Sequence, residues 1–184
     1  MKKILFSLII ASIFLTACGK YTVDIPNLPP ELKAKWELEL DENLAKYDDT
    51  TDPYARSQVA SEIGFRYMNL GKYGKAIPYY EEVLSYDNVH FPALTNLAYM
   101  YEEVGEITKA LEYEKRLYEA NPTNKEVVGD TIRLLNKNYQ FDDAKKLLTT
   151  YALHSNNGDP QFIDEMFKSI ADAGAKAVAD FGRK

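Results

Sequence analysis

The sequence predicts an all-α fold made of helical hairpins, and three observations predict it. Residue types recur at a spacing of 34 residues, most clearly at Gly71 and Gly105. Within each copy, apolar residues recur three and four places apart, as they do on one face of a helix. The two glycines stand between the halves of their copies, where a turn between helices needs a positive φ.

Matching segments carry the repeat through the first two copies. Residues 64–67 correspond to 98–101, and residues 75–77 correspond to 109–111. A period of this length with helical spacing resembles the tetratricopeptide repeat. The resemblance implies a right-handed solenoid of helical hairpins within residues 53–158. Three repeats are expected at about residues 57–90, 91–124 and 125–158.

The third copy departs from the pattern at two positions. Ile132 stands where the first two copies have a small residue that lets their helices approach closely, and Tyr139 stands where they have the turn glycine. At the start of this copy, Thr123 and Glu126 have the spacing of a capping box that opens a helix.

Capping helices are expected on both sides of the repeats. Residues 31–52 are interpreted as a helix followed by an acidic turn, and 159–184 as a final helix with Asp159 as N-cap and Pro160 in its first turn. The expected apolar face of the N-terminal helix comprises Leu32, Trp36, Leu40, Leu44 and Tyr47. The expected face of the final helix comprises Phe162, Met166, Phe167, Ile170 and Ala173.

The N-terminus has the parts of an export signal. Lys2 and Lys3 precede an uncharged run from Ile4 to Leu15 that is too short to span a membrane permanently. Residues 15–18, Leu-Thr-Ala-Cys, resemble the lipobox of bacterial lipoproteins. This resemblance implies a signal peptide at 1–17, lipid on Cys18 and a proline-rich spacer to residue 30. An ordinary export signal with an incidental cysteine is the alternative.

The net charge and the cysteine content limit the classes of partner that this protein is expected to bind. The formal net charge is −6, and removal of residues 1–17 with their two lysines makes it −8. Such an acidic body suits neither nucleic acid nor an anionic membrane surface. Cys18 is the only cysteine, so no internal disulfide can form. The expected partners are an envelope protein or peptide and, through the N-terminal lipid, a membrane.

No catalytic or metal-binding constellation stands out, and no cofactor is expected. The two histidines, His90 and His154, are interpreted as surface residues. The adjacent acidic pairs at 81–82 and 102–103 point about 100° apart on a helix, so neither pair shares one site easily. The sequence lacks a His-Glu-x-x-His motif, a glycine-rich phosphate loop and a Gly-x-Ser-x-Gly motif.

The tetratricopeptide resemblance implies a ligand groove lined by the first helix of each copy. At the five positions that clamp a peptide carboxylate in one version of this groove, only Asn96 matches. Phe65 and Tyr99 are instead expected to hold an apolar or extended segment, in a groove that passes from acidic to basic. The alternative is that both rings pack between helices. The candidate groove residues are Phe65, Asn69, Tyr99, Glu102, Glu103, Arg133, Asn136 and Lys137.

Three functions remain open at this point. The leading hypothesis is a lipid-anchored adaptor or assembly factor of the bacterial envelope, facing the periplasm or the cell exterior, that binds a protein or peptide. The second is a structural subunit of a larger envelope complex. The third, an enzyme, is the least favoured because no convergent reactive groups are evident.

Overall fold

Helices account for nearly all of the chain that can be described. The computed structural model describes residues 21–155 and 159–181, so the expected signal peptide and Cys18 lie outside the described residues. These residues form eight helices and no strand, which confirms the predicted all-α class. The helices are α1 Pro30–Asp49, α2 Pro53–Asn69, α3 Tyr73–Tyr86, α4 Phe91–Glu103, α5 Ile107–Ala120, α6 Lys125–Lys137, α7 Phe141–His154 and α8 Pro160–Phe181.

The chain divides into two compact units. The division falls between Asn96 and Leu97, within α4. In the first unit, α2 packs against both α1 and α3. In the second, α6 packs against α5, α7 and α8, and α8 also packs against α7.

Three turns of the same form join α2 to α3, α4 to α5 and α6 to α7. We call them the first, second and third turns, and each is centred on a residue with positive φ: Gly71 at 70°, Gly105 at 77° and Tyr139 at 59°. In each, an amide donates to a carbonyl five residues earlier, which closes the preceding helix as a Schellman motif. These pairs are Lys72 to Tyr67, Glu106 to Tyr101 and Gln140 to Leu135, each at 2.9 Å. The third copy therefore keeps the turn without its glycine.

Helices α2 and α3 form the first hairpin, and their close crossing depends on Gly64. A Cβ added there would lie 3.1 Å from the Tyr80 ring, so the missing side chain is what admits the ring. In the third hairpin, Ile132 and Leu148 occupy the positions 68 residues later, and both are completely buried. The third copy therefore replaces a glycine and a large ring with two aliphatic side chains.

The expected capping box at the start of α6 is wrong by one residue. Asn124 is the N-cap, and its Oδ1 accepts from the amides of Glu126 at 2.9 Å and Val127 at 3.2 Å. Thr123 instead donates from its hydroxyl to Asn121 at 3.4 Å. Asn124 accepts from two of the free amides in the first turn of the helix and so takes the capping role one residue later than expected.

The start of α8 follows the sequence expectation, whereas its apolar face does so only in part. Asp159 accepts from the amide of Phe162 at 3.2 Å, which confirms its capping role. Phe162 and Ile170 are buried. Phe167, which was expected on the same face, is 42% exposed and was wrongly assigned to the core. Five residues on a helix turn Phe167 about 140° away from the buried Phe162, so the two rings do not share one face.

The core of the first unit contains the expected stripe of α1 except for Leu32. Leu40 forms a buried cluster with Val59, Ile63 and Leu70. Partly buried side chains pack against this cluster: Leu28, Trp36, Leu44, Tyr47, Tyr67 and Tyr79.

The segment before α1 was expected to be an extended spacer between the lipid and the fold, and part of it is instead docked on the first unit. Val23 donates its amide to the carbonyl of Gly71 at 2.8 Å, and the Gly74 amide donates to the carbonyl of Tyr21 at 3.0 Å. These bonds satisfy backbone groups that the first turn leaves open, so residues 21–25 lie along that turn as an extended segment.

Candidate functional site

A groove runs between the facing sides of α6 and α8 in the second unit. It consists of two cavities of about 880 Å³ and 400 Å³ that share Arg133 and Ser169 in their walls. We call it the α6–α8 groove. The larger cavity is also lined by Asn124, Lys125, Glu126, Gly129, Asp130, Phe162 and Met166. The smaller is also lined by Asn136, Lys137, Tyr139, Ala173, Lys176, Ala177 and Asp180.

Gly129 and Phe162 form the apolar part of the larger cavity. A Cβ on Gly129 would lie 3.5 Å from the Phe162 ring, an ordinary contact distance, so α6 passes close to this buried ring. Tyr151 supports the ring from α7 by an edge contact at 5.5 Å between centroids. On the other side, the Lys125 ammonium lies 5.2 Å from the ring centroid and 2.5 Å from Asp159. The result is a buried aromatic ring with a fixed orientation beside a paired charge.

An ion cluster holds the wall of the groove. Glu102 accepts from Arg133 and, at 2.5 Å, from Lys137, while Arg133 also pairs with Asp130 at 3.0 Å. Burial of Glu102 tends to raise its pKa, but hydrogen bonds from the two cations outweigh burial and lower the pKa. The predicted passage from acidic to basic charge is therefore wrong at these residues, because the opposite charges from α4 and α6 pair with each other.

Asn136 lines the smaller cavity and has an unused side-chain acceptor. Its Oδ1 atom is buried and has no hydrogen-bond partner among the described residues. Leaving such an atom unpaired costs roughly 1–3 kcal/mol. A backbone amide or another donor entering the groove at this point would recover that free energy. Among the candidate residues, Asn136 therefore has the clearest physical reason to contact a ligand.

Glu114 is a buried acid that the sequence reasoning missed. The residue is only 6% exposed, and its pKa is raised to about 7 by burial and by the nearby charges of Asp130 and Glu102, against an opposing effect of Arg133. The repeat itself held a signal, because the positions 34 residues on either side hold Tyr80 and Leu148. An acid in a position that is otherwise apolar marks an unusual site.

The repeat also explains why Glu114 and Asp130 influence each other. In the first unit, the side-chain amide of Asn96 on α4 donates to the hydroxyl of Tyr80 on α3 at 2.7 Å. The positions 34 residues later hold Asp130 and Glu114. A neutral hydrogen-bonded pair is thus replaced by two carboxyl groups, and ionisation of one disfavours ionisation of the other.

The structure places the eight candidate groove residues in different surroundings. Arg133, Asn136 and Lys137 line the α6–α8 groove, and Glu102 joins them through the ion cluster. Tyr99 is 46% exposed and Glu103 is exposed, on the part of α4 that belongs to the second unit. Phe65 and Asn69 belong to the first unit.

Phe65 is 43% exposed on α2, so neither it nor Tyr99 is fully enclosed by helix packing. The Arg66 guanidinium lies 5.5 Å from the Phe65 ring centroid. The first unit also has a cavity of about 420 Å³, near one end of α2. It is lined by Tyr54, Ser57, Gln58, Ser61, Glu62, Val83, Tyr86, Asp87 and His90.

Neither a membrane-spanning helix nor a metal-binding cluster is found among the described residues. No helix in residues 21–155 or 159–181 combines the length and the apolar character needed to cross a bilayer. In the same residues, no three His, Cys, Asp or Glu side chains are grouped in a way that could hold a metal ion. His90 accepts from the Ala93 amide at 3.3 Å, and His154 Nδ1 lies 2.8 Å from the carbonyl of Thr150.

Comparisons with known proteins identify the repeat. A family model described as tetratricopeptide repeat matches residues 62–90 and 91–124. Together with the eight helices, this confirms the predicted class of all-α helical hairpins with tetratricopeptide repeats. The chain is also similar to the "Uncharacterized protein ycf37" of Guillardia theta, at 28% identity over 101 residues. That match covers 55% of this chain and 54% of the relative, so the chain spans about half the length of the curated relative it matches.

Proposed function

We propose that this protein is a lipid-anchored adaptor of a bacterial envelope that binds a segment of another protein. Its tetratricopeptide repeats support the general role, since such repeats form protein–protein interaction modules. The basic start, apolar run and lipobox-like residues 15–18 support the anchor and the location. Cys18 would carry the lipid, and two or more acyl chains would hold the protein stably at the membrane.

The client site in this proposal is the α6–α8 groove, and the unpaired Oδ1 atom of Asn136 carries the assignment. The groove combines that acceptor with an apolar lining from Phe162 and Met166. An extended segment suits this combination, because its backbone amides can donate to Asn136 while alternate side chains contact the apolar lining.

Site-specific crosslinking in cells tests the groove. A photoreactive amino acid at Ser169, which lines both cavities, should crosslink to a client, whereas the same amino acid at the exposed Lys115 of α5 should not. Asn136→Ala should reduce the Ser169 crosslink several-fold, because the client loses a hydrogen bond to a buried acceptor. Equal crosslinking from both positions, or no effect of Asn136→Ala, would contradict the assignment.

Mass spectrometry of the mature protein tests the anchor separately. The expected N-terminal residue is Cys18 with a diacylglyceryl group and a further acyl chain. Cys18→Ser should leave an unprocessed precursor. An unmodified N-terminus at another residue would show that the signal is an ordinary one.

A structural subunit of an envelope complex is the second candidate, and exposed apolar residues at the end of α8 favour it. Val178 is 74% exposed, Phe181 68% and Tyr139 65%. All three line a cavity of about 800 Å³ between α7 and α8. Light scattering of the purified protein distinguishes the two roles. An adaptor should be monodisperse alone, whereas a subunit should associate unless Val178→Lys is introduced.

A further inference from the structure

The first turn shows how this fold binds an extended chain. Val23 donates to the Gly71 carbonyl at 2.8 Å, and Tyr21 accepts from the Gly74 amide at 3.0 Å. Side chains of the docked segment alternate, with Tyr21, Val23 and Ile25 more buried than the exposed Thr22 and Asp24. Alternation of this kind is the pattern of a β-strand paired along one edge.

The glycine of the first turn makes this docking possible. A Cβ on Gly71 would overlap the carbonyl oxygen of Val23 and would lie 3.1 Å from the Ile25 side chain. Gly71 is itself buried, because the docked segment covers it. Any residue with a side chain at this position would push the segment away from the turn.

The second turn repeats the surroundings of the first. Gly105 has nearly the same φ as Gly71, 77° against 70°. Beside the first turn, Tyr67 stacks on Tyr79 with centroids 5.9 Å apart, and beside the second turn the corresponding rings are 5.7 Å apart. In both, a lysine ammonium lies over the first ring of the pair, at 5.6 Å and 5.1 Å. The second set comprises Tyr101, Tyr113 and Lys109.

The second turn is open where the first is covered. A Cβ on Gly105 would meet no atom of the described residues within 4 Å, and Gly105 is exposed. The two backbone groups that correspond to those used by the docked segment are the Gly105 carbonyl and the Thr108 amide. Neither has a hydrogen-bond partner among the described residues. The same backbone edge therefore occurs at the first and second turns, and within the described residues it is covered only at the first.

The third turn provides an internal contrast. Tyr139 places a side chain where the other turns have none, and the positions of the two stacked tyrosines hold Leu135 and Leu147. The lysine position holds Asp143. The third turn thus keeps the backbone form but lacks the features that accompany docking.

We propose that the second turn binds an extended segment of a client protein, in the way the first turn binds residues 21–25. The segment would present an aromatic residue followed two and four places later by β-branched residues, as in Tyr21, Val23 and Ile25. Its backbone would donate to the Gly105 carbonyl and accept from the Thr108 amide. This site is separate from the α6–α8 groove, and its existence does not depend on whether a client binds in that groove.

A synthetic peptide with the sequence of residues 21–28 is the probe. Added to the full chain labelled with ¹⁵N, it should shift the amide resonances of Gly105 and Thr108 in a saturable way. It should not displace the chain's own segment, whose covalent attachment gives it an effective concentration in the millimolar range. Resonances of Gly71 and Gly74 should therefore remain unchanged.

N-methylated peptides provide the matched control. Methylation of the amide at the Val23 position removes the donor and should weaken binding at least about fivefold. The same change at the outward-facing Asp24 position keeps the side chains and should have little effect. Equal weakening by both methylations, shifts confined to Gly71 and Gly74, or no saturable shift at Gly105 would each overturn the proposal. Asn136→Ala should leave the peptide affinity unchanged, which separates this site from the groove.

Discussion

The first hairpin (α2 and α3) and the third hairpin (α6 and α7) fill the crossing between their own two helices in opposite ways. In the first, Gly64 has no side chain, and the ring of Tyr80 occupies the space that one would fill. In the third, Ile132 and Leu148 share the space, and both are fully buried. The comparison shows that the crossing constrains the combined volume of two facing positions, so a small residue is needed only when its partner is large.

Gly64→Ile is expected to have the largest effect, because it brings the isoleucine of the third hairpin against the tyrosine of the first. The clash should lower the free energy of unfolding by about 3 kcal/mol. Adding Tyr80→Leu recreates the pair of the third hairpin and should recover most of that loss, less the hydrogen bond from Asn96. Urea denaturation of the single and double variants measures both. A double variant less stable than Gly64→Ile alone would refute the shared-volume explanation.

In the second hairpin, Glu114 stands at the position that Tyr80 has in the first. This acid should make the stability of the protein depend on pH. Its folded pKa of about 7 is above the ordinary value of 4.5, so the carboxyl ionises more easily in the unfolded chain. Stability should therefore fall as pH rises from about 4.5 to about 7, by up to about 3 kcal/mol in total, and should not change further above that range through this group.

Glu114→Gln isolates this contribution. The glutamine cannot ionise, so the variant should be more stable than the parent at pH 8 and similar to it at pH 4.5. Thermal unfolding across this range measures the difference. A difference that does not change with pH would mean that Glu114 does not titrate as described.

The first and second turns should differ in their response to alanine. Both glycines have positive φ, so either substitution costs about 1 kcal/mol or more from the backbone alone. Gly71→Ala should cost about a further 1 kcal/mol, because its Cβ displaces the docked segment and breaks two hydrogen bonds. Urea denaturation gives the stabilities, and hydrogen exchange at the Val23 and Gly74 amides reports the release. Equal losses at both positions would argue against stable docking.

The third turn should show the smallest effect. Asparagine tolerates a positive φ, so Tyr139→Asn should change the free energy of unfolding by no more than about 0.5 kcal/mol. Tyr139→Val should cost about 1–2 kcal/mol, because a β-branched residue is strained in this conformation. Thermal melts of the two variants test the turn at this position. If valine were tolerated as well as asparagine, the third turn would not hold the backbone form of the other two.

Features that repeat in sequence could be predicted, and features set by individual contacts could not. Gly71 and Gly105 reveal their turns because only a positive φ explains a glycine at that place in two copies. Tyr139 conceals the same turn, because the hydrogen bonds of the flanking helices override the preference of the residue. The α1 stripe was predictable from its period alone, and most of it packs in the first core.

The candidate site was predictable only as a set of positions on α6. Arg133, Asn136 and Lys137 were found by their register in the repeat. Their partners were not, because pairing of Glu102 with two cations depends on distances between helices that a sequence does not state. The capping residue of α6 was missed for a similar reason, since Thr123 and Asn124 are both good caps and only the backbone direction selects between them.

The docked segment also determines how far the protein can reach. A free chain from residue 18 to residue 30 would extend to about 40 Å, enough to leave the headgroup region entirely. Because Tyr21 is fixed on the first turn, only three peptide units remain between it and Cys18, or about 10 Å. With Cys18 lipidated as proposed, this short connection would keep the first turn at the bilayer surface. The protein would then search in two dimensions, and membrane-embedded clients would meet it at a far higher local concentration than soluble ones.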